Sequence, residues 1–252
     1  LEFRRVLFRS LKAVGEFDDA DGDDSSFPSG DVLNPGKPPL FKFDFIEVFG
    51  GAGSVSDAMR DLGHVVGPVL DLSFSRKYDM KSLEMLQWII YMLKEGHLRS
   101  VFVEPPCTTF SPAAHPACRS YKEPLGWSRE NPTVLHGNSL AFRSMTIIYV
   151  CKRYERPGDL EQPRLSKMAW TSPWQWLLTL GCSEAVIASC QFGSPHRKEF
   201  RLLLTGVDAE GLTRKCPGGH QHLRIEGKYT KGSAVYTWGV AWHIASGFSR
   251  AL

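Results

Sequence analysis

Residues 101–111 read Val-Phe-Val-Glu-Pro-Pro-Cys-Thr-Thr-Phe-Ser, a short apolar run closed by two prolines and a cysteine. The run has the character of a buried strand, and Pro105 and Pro106 end it and stiffen the turn. Cys107 therefore stands at the C-terminal end of a strand, where open α/β sheets place their chemistry. A thiol in that place is either packed structure or a nucleophile, and nearby positive charge or dipoles would favour its reactive thiolate form. Three other segments keep it company in a fixed order. Glu47-Val48-Phe49-Gly50-Gly51-Ala52-Gly53-Ser54 passes through glycines into a helical pattern. Such a passage is either a tight turn alone or one that brings backbone N–H groups against a ligand. Glu161-Gln162-Pro163 supplies a carboxyl. Phe192-Gly193-Ser194-Pro195-His196-Arg197-Lys198-Glu199 supplies two cations. Asp71 is either an exposed loop acid or an acceptor for ribose hydroxyls at the end of a second strand.

These residues need a frame that holds them together. Phe43–Phe49 is a strand candidate, and Ser54–Leu62 has helical spacing, with Gly63 as its stop. Val65–Leu70 is a second strand, Ser82–Leu93 a helix and Val101–Val103 a third strand. Alternation of this kind predicts a mostly parallel sheet with right-handed crossovers and helices on its faces. Residues 111–131 form a long loop of the kind that serves as a lid or substrate contact. A helix over 138–154, a strand over 158–162, a helix over 173–180, strands over 185–190 and 201–205, and a closing helix over 234–248 complete the expectation.

The ordered set Phe49-x-Gly51-x-Gly53, Pro105-Pro106-Cys107-x-x-Phe110-Ser111, Glu161-Gln162-Pro163 and Phe192–Glu199 resembles the cytosine-C5 DNA methyltransferase family over roughly residues 43–248. The resemblance implies a Rossmann-like α/β fold dependent on S-adenosylmethionine, with a very small recognition subdomain. It implies that Cys107 adds to C6 of cytosine, while Glu161 holds N3 and the exocyclic amine. Glu47, Phe49, Gly51 and Gly53 would form the cofactor turn beside Pro105, with Asp71 on the ribose and Asp79 on the adenine. Arg197 and Lys198 would approach the flipped base or its phosphate. Ser233 and Val235, in Lys231-Gly232-Ser233-Ala234-Val235, would return to the cofactor with the last helix. The residue types suit the chemistry independently. C5 is a poor nucleophile until a thiolate adds at C6, and a base must leave its stack to be reached.

The chain departs from the family pattern at Thr108, Gln162, Pro163, His196, Phe200 and Ser233, with Arg201 one position late as a substitute for the expected arginine. Only 27 positions separate Gly206 from Ser233, where the family usually inserts a much larger recognition domain. Two other readings stay open: the same chemistry on RNA, and a silent relative from a mobile element that binds nucleic acid or cofactor.

Composition sets the outer bounds. The 252 residues carry a net charge of +3, with 42% hydrophobic and 23% charged residues, enough for one core. Residues 112–231 hold seventeen Lys and Arg against ten Asp and Glu, compatible with a polyanionic partner such as nucleic acid. No apolar run is long enough to span a membrane. The six cysteines lack disulfide-framework spacing, which suggests a reducing, intracellular setting, nuclear if the source is eukaryotic. Residues 1–10 read as translated sequencing adapter, 11–40 as a disordered acidic leader and 41–206 as the catalytic domain. Residues 207–231 read as a small basic recognition loop, and 232–252 as a helix returning to that domain. Cys216, His220 and His222 are weak metal candidates that lack an evident fourth ligand other than a distant Cys118; the other reading is a Gly-rich binding loop. Trp127, Trp170, Trp174, Trp176, Trp238 and Trp242 are read as packing rather than as base-stacking platforms.

Overall fold

The computed structural model describes residues 42–128, 130–225 and 235–252. The adapter-like start, the acidic leader, Ser233 and most of the motif around it lie outside the described residues. The described chain is a mixed α/β fold with a mostly parallel five-stranded sheet flanked by helices. β1 (Phe43–Val48) leads through the glycines to α1 (Ser54–Asp61), then α2 (Leu83–Lys94), β2 (Leu98–Val103) and α3 (Pro132–Arg153). β3 (Gly158–Pro163), α4 (Ser172–Thr179), β4 (Ser183–Ala188), β5 (Glu199–Thr205), a short α5 (Ala209–Leu212) and α6 (Trp238–Ala251) follow. The strand order is β1-β2-β3-β5-β4. β1, β2 and β3 pair in parallel, and β5 is antiparallel to both β3 and β4. Four strands thus point one way and β5 the other.

Near-continuous apolar strands need cover on both faces, and two buried clusters provide it. On one face α2, α3 and α4 pack Leu86, Ile90, Met145, Ile148 and Trp174 against Ile46, Val101 and Leu160. On the other, α1 and α6 bring Val55, Met59, Ile244 and Phe248 onto Phe45, Phe102 and Leu202. The Phe248 ring meets Phe45 edge-on at 5.2 Å. Leu212 of α5 is fully buried in that same layer.

Several boundaries move. The expected strand 65–70 is held beside β1 by Gly67 N–H to Phe45 O and Leu70 N–H to Glu47 O, but Pro68 has no N–H and the ladder shrinks to isolated bridges. α3 begins six residues before the expected 138, because the Asn131 side chain accepts from the N–H groups of Thr133 and Val134 and Pro132 fits the first turn. Of the six tryptophans named above only Trp174 is in the core. Trp170 leans on Tyr121, Trp176 on Tyr149 and Trp238 on Trp242, each keeping more than a third of its surface in water.

The loop 111–131 is pinned rather than loose. Arg119, only 2% exposed, lies 3.9 Å over the Phe110 ring and donates to Pro124 O, Val134 O and Asn138 Oδ1. A guanidinium can satisfy three acceptors in one plane, which makes it the anchor joining this loop to α3.

Candidate active site

A cleft of about 320 Å³ opens at the C-terminal edge of the parallel strands. Its walls include Phe49, Gly51, Pro105, Cys107, Glu161 and Lys198, residues from four separate parts of the chain. Glu104, Val235 and Tyr236 line it as well. A second cavity of about 260 Å³ carries Asp71, Asp79, Tyr78, Met80 and His136 and shares only Phe49 and Pro106 with the first.

The glycine turn is shaped by its backbone. Gly53 caps α1 at φ +71°, a left-handed conformation in which a side chain would be strained, and it packs against Val69. Phe49 adopts φ +61° without being glycine. That strained geometry, of order 1–3 kcal/mol, turns its ring into the wall between the two cavities. Asp71 supports the turn from below: its Oδ2 accepts from Gly51 N–H at 3.2 Å, and its Oδ1 accepts from the N–H and hydroxyl of Ser73.

Cys107 sits in a tight turn whose carbonyl accepts from the N–H groups of Phe110 and Ser111. The unexpected Gln162 explains how this turn is held. Its buried amide donates to Pro105 O at 2.7 Å and accepts from the Ser166 hydroxyl at 2.9 Å, tying β3 to the proline pair. Thr108 is exposed, and nothing in the structure explains it.

Strand alternation decides which side chains can meet. Glu161 pairs with Leu202, and Pro163 with Phe200, so Glu161, Phe200 and Lys198 share a face. Arg201 pairs with Gln162 on the opposite face, where it lies 3.5 Å from Glu184. It cannot replace the arginine that Phe200 displaces, which corrects the expectation. Phe200 itself is buried against Tyr236, ring centroids 5.0 Å apart. The cation in the cleft is Lys198, 4.8 Å over the Phe200 ring.

The charges are unusual. Burial pushes the Glu161 carboxyl up to about 7, against the opposing pull of Lys198 and Tyr236. Burial and the nearby Glu47 and Glu161 hold Glu104 well above the ordinary carboxylate range. Burial also raises the Cys107 thiol, as does Glu161, while Lys198 draws it down. Lys198 is lowered by its own burial and supported by Glu161, Cys107 and Glu104. A neutral Glu161 beside a charged Lys198 is therefore the state that most favours a thiolate at Cys107.

Not every expected residue arrives. Glu47 is fully buried beneath the turn, its Oε2 accepting from Ser56 N–H at 2.7 Å, and it does not line either cavity. It lies on the sheet face covered by α1, so the turn itself screens it from the cleft. Arg197 is exposed outside the cleft, since alternation sends it opposite Lys198. Glu104 and Tyr236 were missed. Glu104 was legible as an acid closing an apolar strand immediately before Pro-Pro, whereas Tyr236 carries no local signal. Among the described residues no helix is long and apolar enough to cross a membrane.

The second cavity combines the apolar walls and oxygen acceptors that a nucleoside needs. Leu72, Met80 and Leu140 offer apolar walls of a kind that suits a flat ring, and Asp71 and Asp79 offer acceptors. A Cβ placed on Gly51 would meet nothing within 4 Å, so the backbone there is open to approach.

No family model matches the chain, and no curated protein matches it. Among solved structures, the S. pombe Dnmt2 methyltransferase is similar over 75% of this chain, with 11% identity and a TM-score of 0.36. The similarity covers 54% of that protein, so the chain spans about half the length of the neighbour.

Proposed function

We propose that this chain is an S-adenosylmethionine-dependent cytosine-C5 methyltransferase acting on DNA. The observation that carries the reading is the convergence of Cys107, Glu161 and Lys198 in one cleft, separated only by Phe49 and Pro106 from a cavity bearing Asp71 and Asp79. The order of motifs that resembles the family, and the basic excess over 112–231, support the same reading.

In this mechanism Lys198 stabilises the Cys107 thiolate, which forms a bond to C6 of a cytosine turned out of its stack. Protonated Glu161 donates toward N3 as negative charge develops there. Asp71, Asp79 and the Gly51 turn would hold the cofactor, which would supply the methyl group for C5. A water base in the open cleft takes the C5 proton, the Cys107–C6 bond breaks to return the thiolate, and N3 gives its proton back to Glu161. Phe49 and Pro106 line both cavities.

Incubation of the protein with labelled S-adenosylmethionine and either DNA or RNA tests the proposal. We expect label on C5 of cytosine in DNA, covalent trapping by 5-fluorocytosine DNA, and loss of both in Cys107→Ser. Label on RNA alone would replace the DNA reading with the RNA one. Nucleic-acid binding without transfer or trapping would identify a silent relative. Transfer that survives Cys107→Ser would overturn the nucleophile.

A further inference from the structure

The loop after α5 folds back onto the turn between β4 and β5. Leu223 N–H donates to Pro195 O, and His196 Nδ1 donates to Leu223 O at 3.2 Å. This return places Cys216, His220 and His222 beside Cys190, which lies in the helical turn Ser189–Phe192 directly after β4. Their ligand atoms all lie within 4.8 Å of one another. Cys216 Sγ is 3.7 Å from His220 Nε2 and 3.6 Å from His222 Nε2. A tetrahedron with Zn–S of about 2.3 Å and Zn–N of about 2.0–2.1 Å has an S···N edge near 3.5 Å.

The geometry points to a structural zinc site of two thiolates and two imidazoles, Cys190, Cys216, His220 and His222. The missing fourth ligand is thus Cys190, not Cys118. Two details beyond the ligands fit this role. His220 Nδ1 donates to Gly218 O at 2.9 Å, which leaves Nε2 with the lone pair facing the site. Gly218 N–H points at Cys216 Sγ at 3.4 Å, and Gly218 and Gly219 reach this geometry only through positive φ angles. Binding releases two thiol protons, and the two thiolates balance the divalent charge. All-N/S tetrahedral coordination with no place for water marks a structural rather than a catalytic centre.

The site staples the two ends of a segment that brackets Lys198. Cys190 precedes it by eight residues, and Leu223, next to His222, bonds to Pro195 and His196. Zinc would fix the turn that presents the lysine to the cleft. The inference stands whether or not the chain transfers methyl groups.

Metal analysis of the full chain purified under reducing conditions should give about one zinc per chain. Exchange into Co²⁺ should give the intense visible spectrum of tetrahedral thiolate coordination. Cys190→Ser and His222→Ala should each weaken Co²⁺ binding by more than the ~10–100-fold typical of losing an outer-shell partner. Cys118→Ser should leave the spectrum unchanged. Chelation of the wild-type protein should expose the 215–225 loop to protease, a readout that needs no variant to fold. Absence of bound zinc, a Cys190–Cys216 disulfide in its place, or a Co²⁺ spectrum indifferent to Cys190→Ser would overturn the site.

Discussion

The Lys198 ammonium and the Glu161 carboxyl face the same cleft, and each favours the other's charged form against burial. Burial wins at Glu161, whose proton stays on up to about pH 7. The pair therefore spends neutral pH near a balance between acid and ion. That is where a proton donor is most useful.

A pH profile follows with two limbs. Transfer requires Cys107 as thiolate, which gains with rising pH, and Glu161 as acid, which is lost above about 7. Under the proposed mechanism the rate constant should climb to about pH 7, stay level while Glu161 loses its proton as fast as Cys107 gains charge, and fall only above the raised thiol. Glu161→Gln, an amide that donates but does not titrate, should lower the rate and abolish the alkaline limb. Survival of the limb in this variant would remove Glu161 from the role.

Stability should show the same group with opposite benefit. A carboxyl raised on folding keeps a proton that the unfolded chain releases, so its contribution is lost as pH climbs from about 4.5 to about 7. The full loss is about 3 kcal/mol. Thermal melts should show Glu161→Gln near wild type at pH 4.5 and more stable than wild type at pH 8. A constant difference across that range would contradict the assignment.

Lys198, immediately before β5, and Arg201, three residues on and facing the other side of the sheet, should separate cleanly. Lys198→Met should reduce transfer by about 10²-fold or more, consistent with loss of about 3 kcal/mol of charge stabilisation. Arg201→Ala removes only a partly exposed pair with Glu184, costs less than about 1 kcal/mol and should keep activity within twofold. Steady-state kinetics and melting curves on both variants check this.

Asp71 both supports the glycine turn and faces the second cavity. Asp71→Ala should weaken S-adenosylhomocysteine binding by about 10–100-fold through loss of one or two hydrogen bonds to a charged acceptor. Titration calorimetry measures it. Unchanged affinity would place the cofactor elsewhere.

Arg119→Met should cost about 3–5 kcal/mol, because three acceptors around a buried guanidinium lose their donor. Lysine at the same place should not rescue it, since one ammonium cannot span the fork. Chemical denaturation of both variants tests the point.

Much of this was readable in the sequence because strand ends and glycines carry strong local signals. Cys107, Glu161 and Lys198 were singled out from residue type and order, and β1, α1 and β3 fell where the apolar spacing put them. The losses have distinct causes, of which side-chain direction across strands is one. Arg201 looked equivalent to position 200 in a linear reading, yet a single residue reverses the face. Glu47 looked like a cofactor ligand because it precedes the turn; it shares the Glu161 face of the sheet, but Gly50 packs directly over its side chain. Cys190 could not be linked to Cys216 from spacing, since their meeting depends on the loop returning along Pro195. Arg119 gave no signal at all, because a buried arginine is recognisable only by the carbonyls around it.

β5 runs against its neighbours, and the chain that leaves β5 climbs back until Leu223 N–H donates to Pro195 O, three residues before the cleft lysine Lys198. Val235 already lines that cleft when the chain is next described. Lys198 before that stretch and Val235 after it thus line one cleft. Lengthening the connection between them would cost little closure entropy. Chain length can therefore vary there without moving the residues that line the cleft.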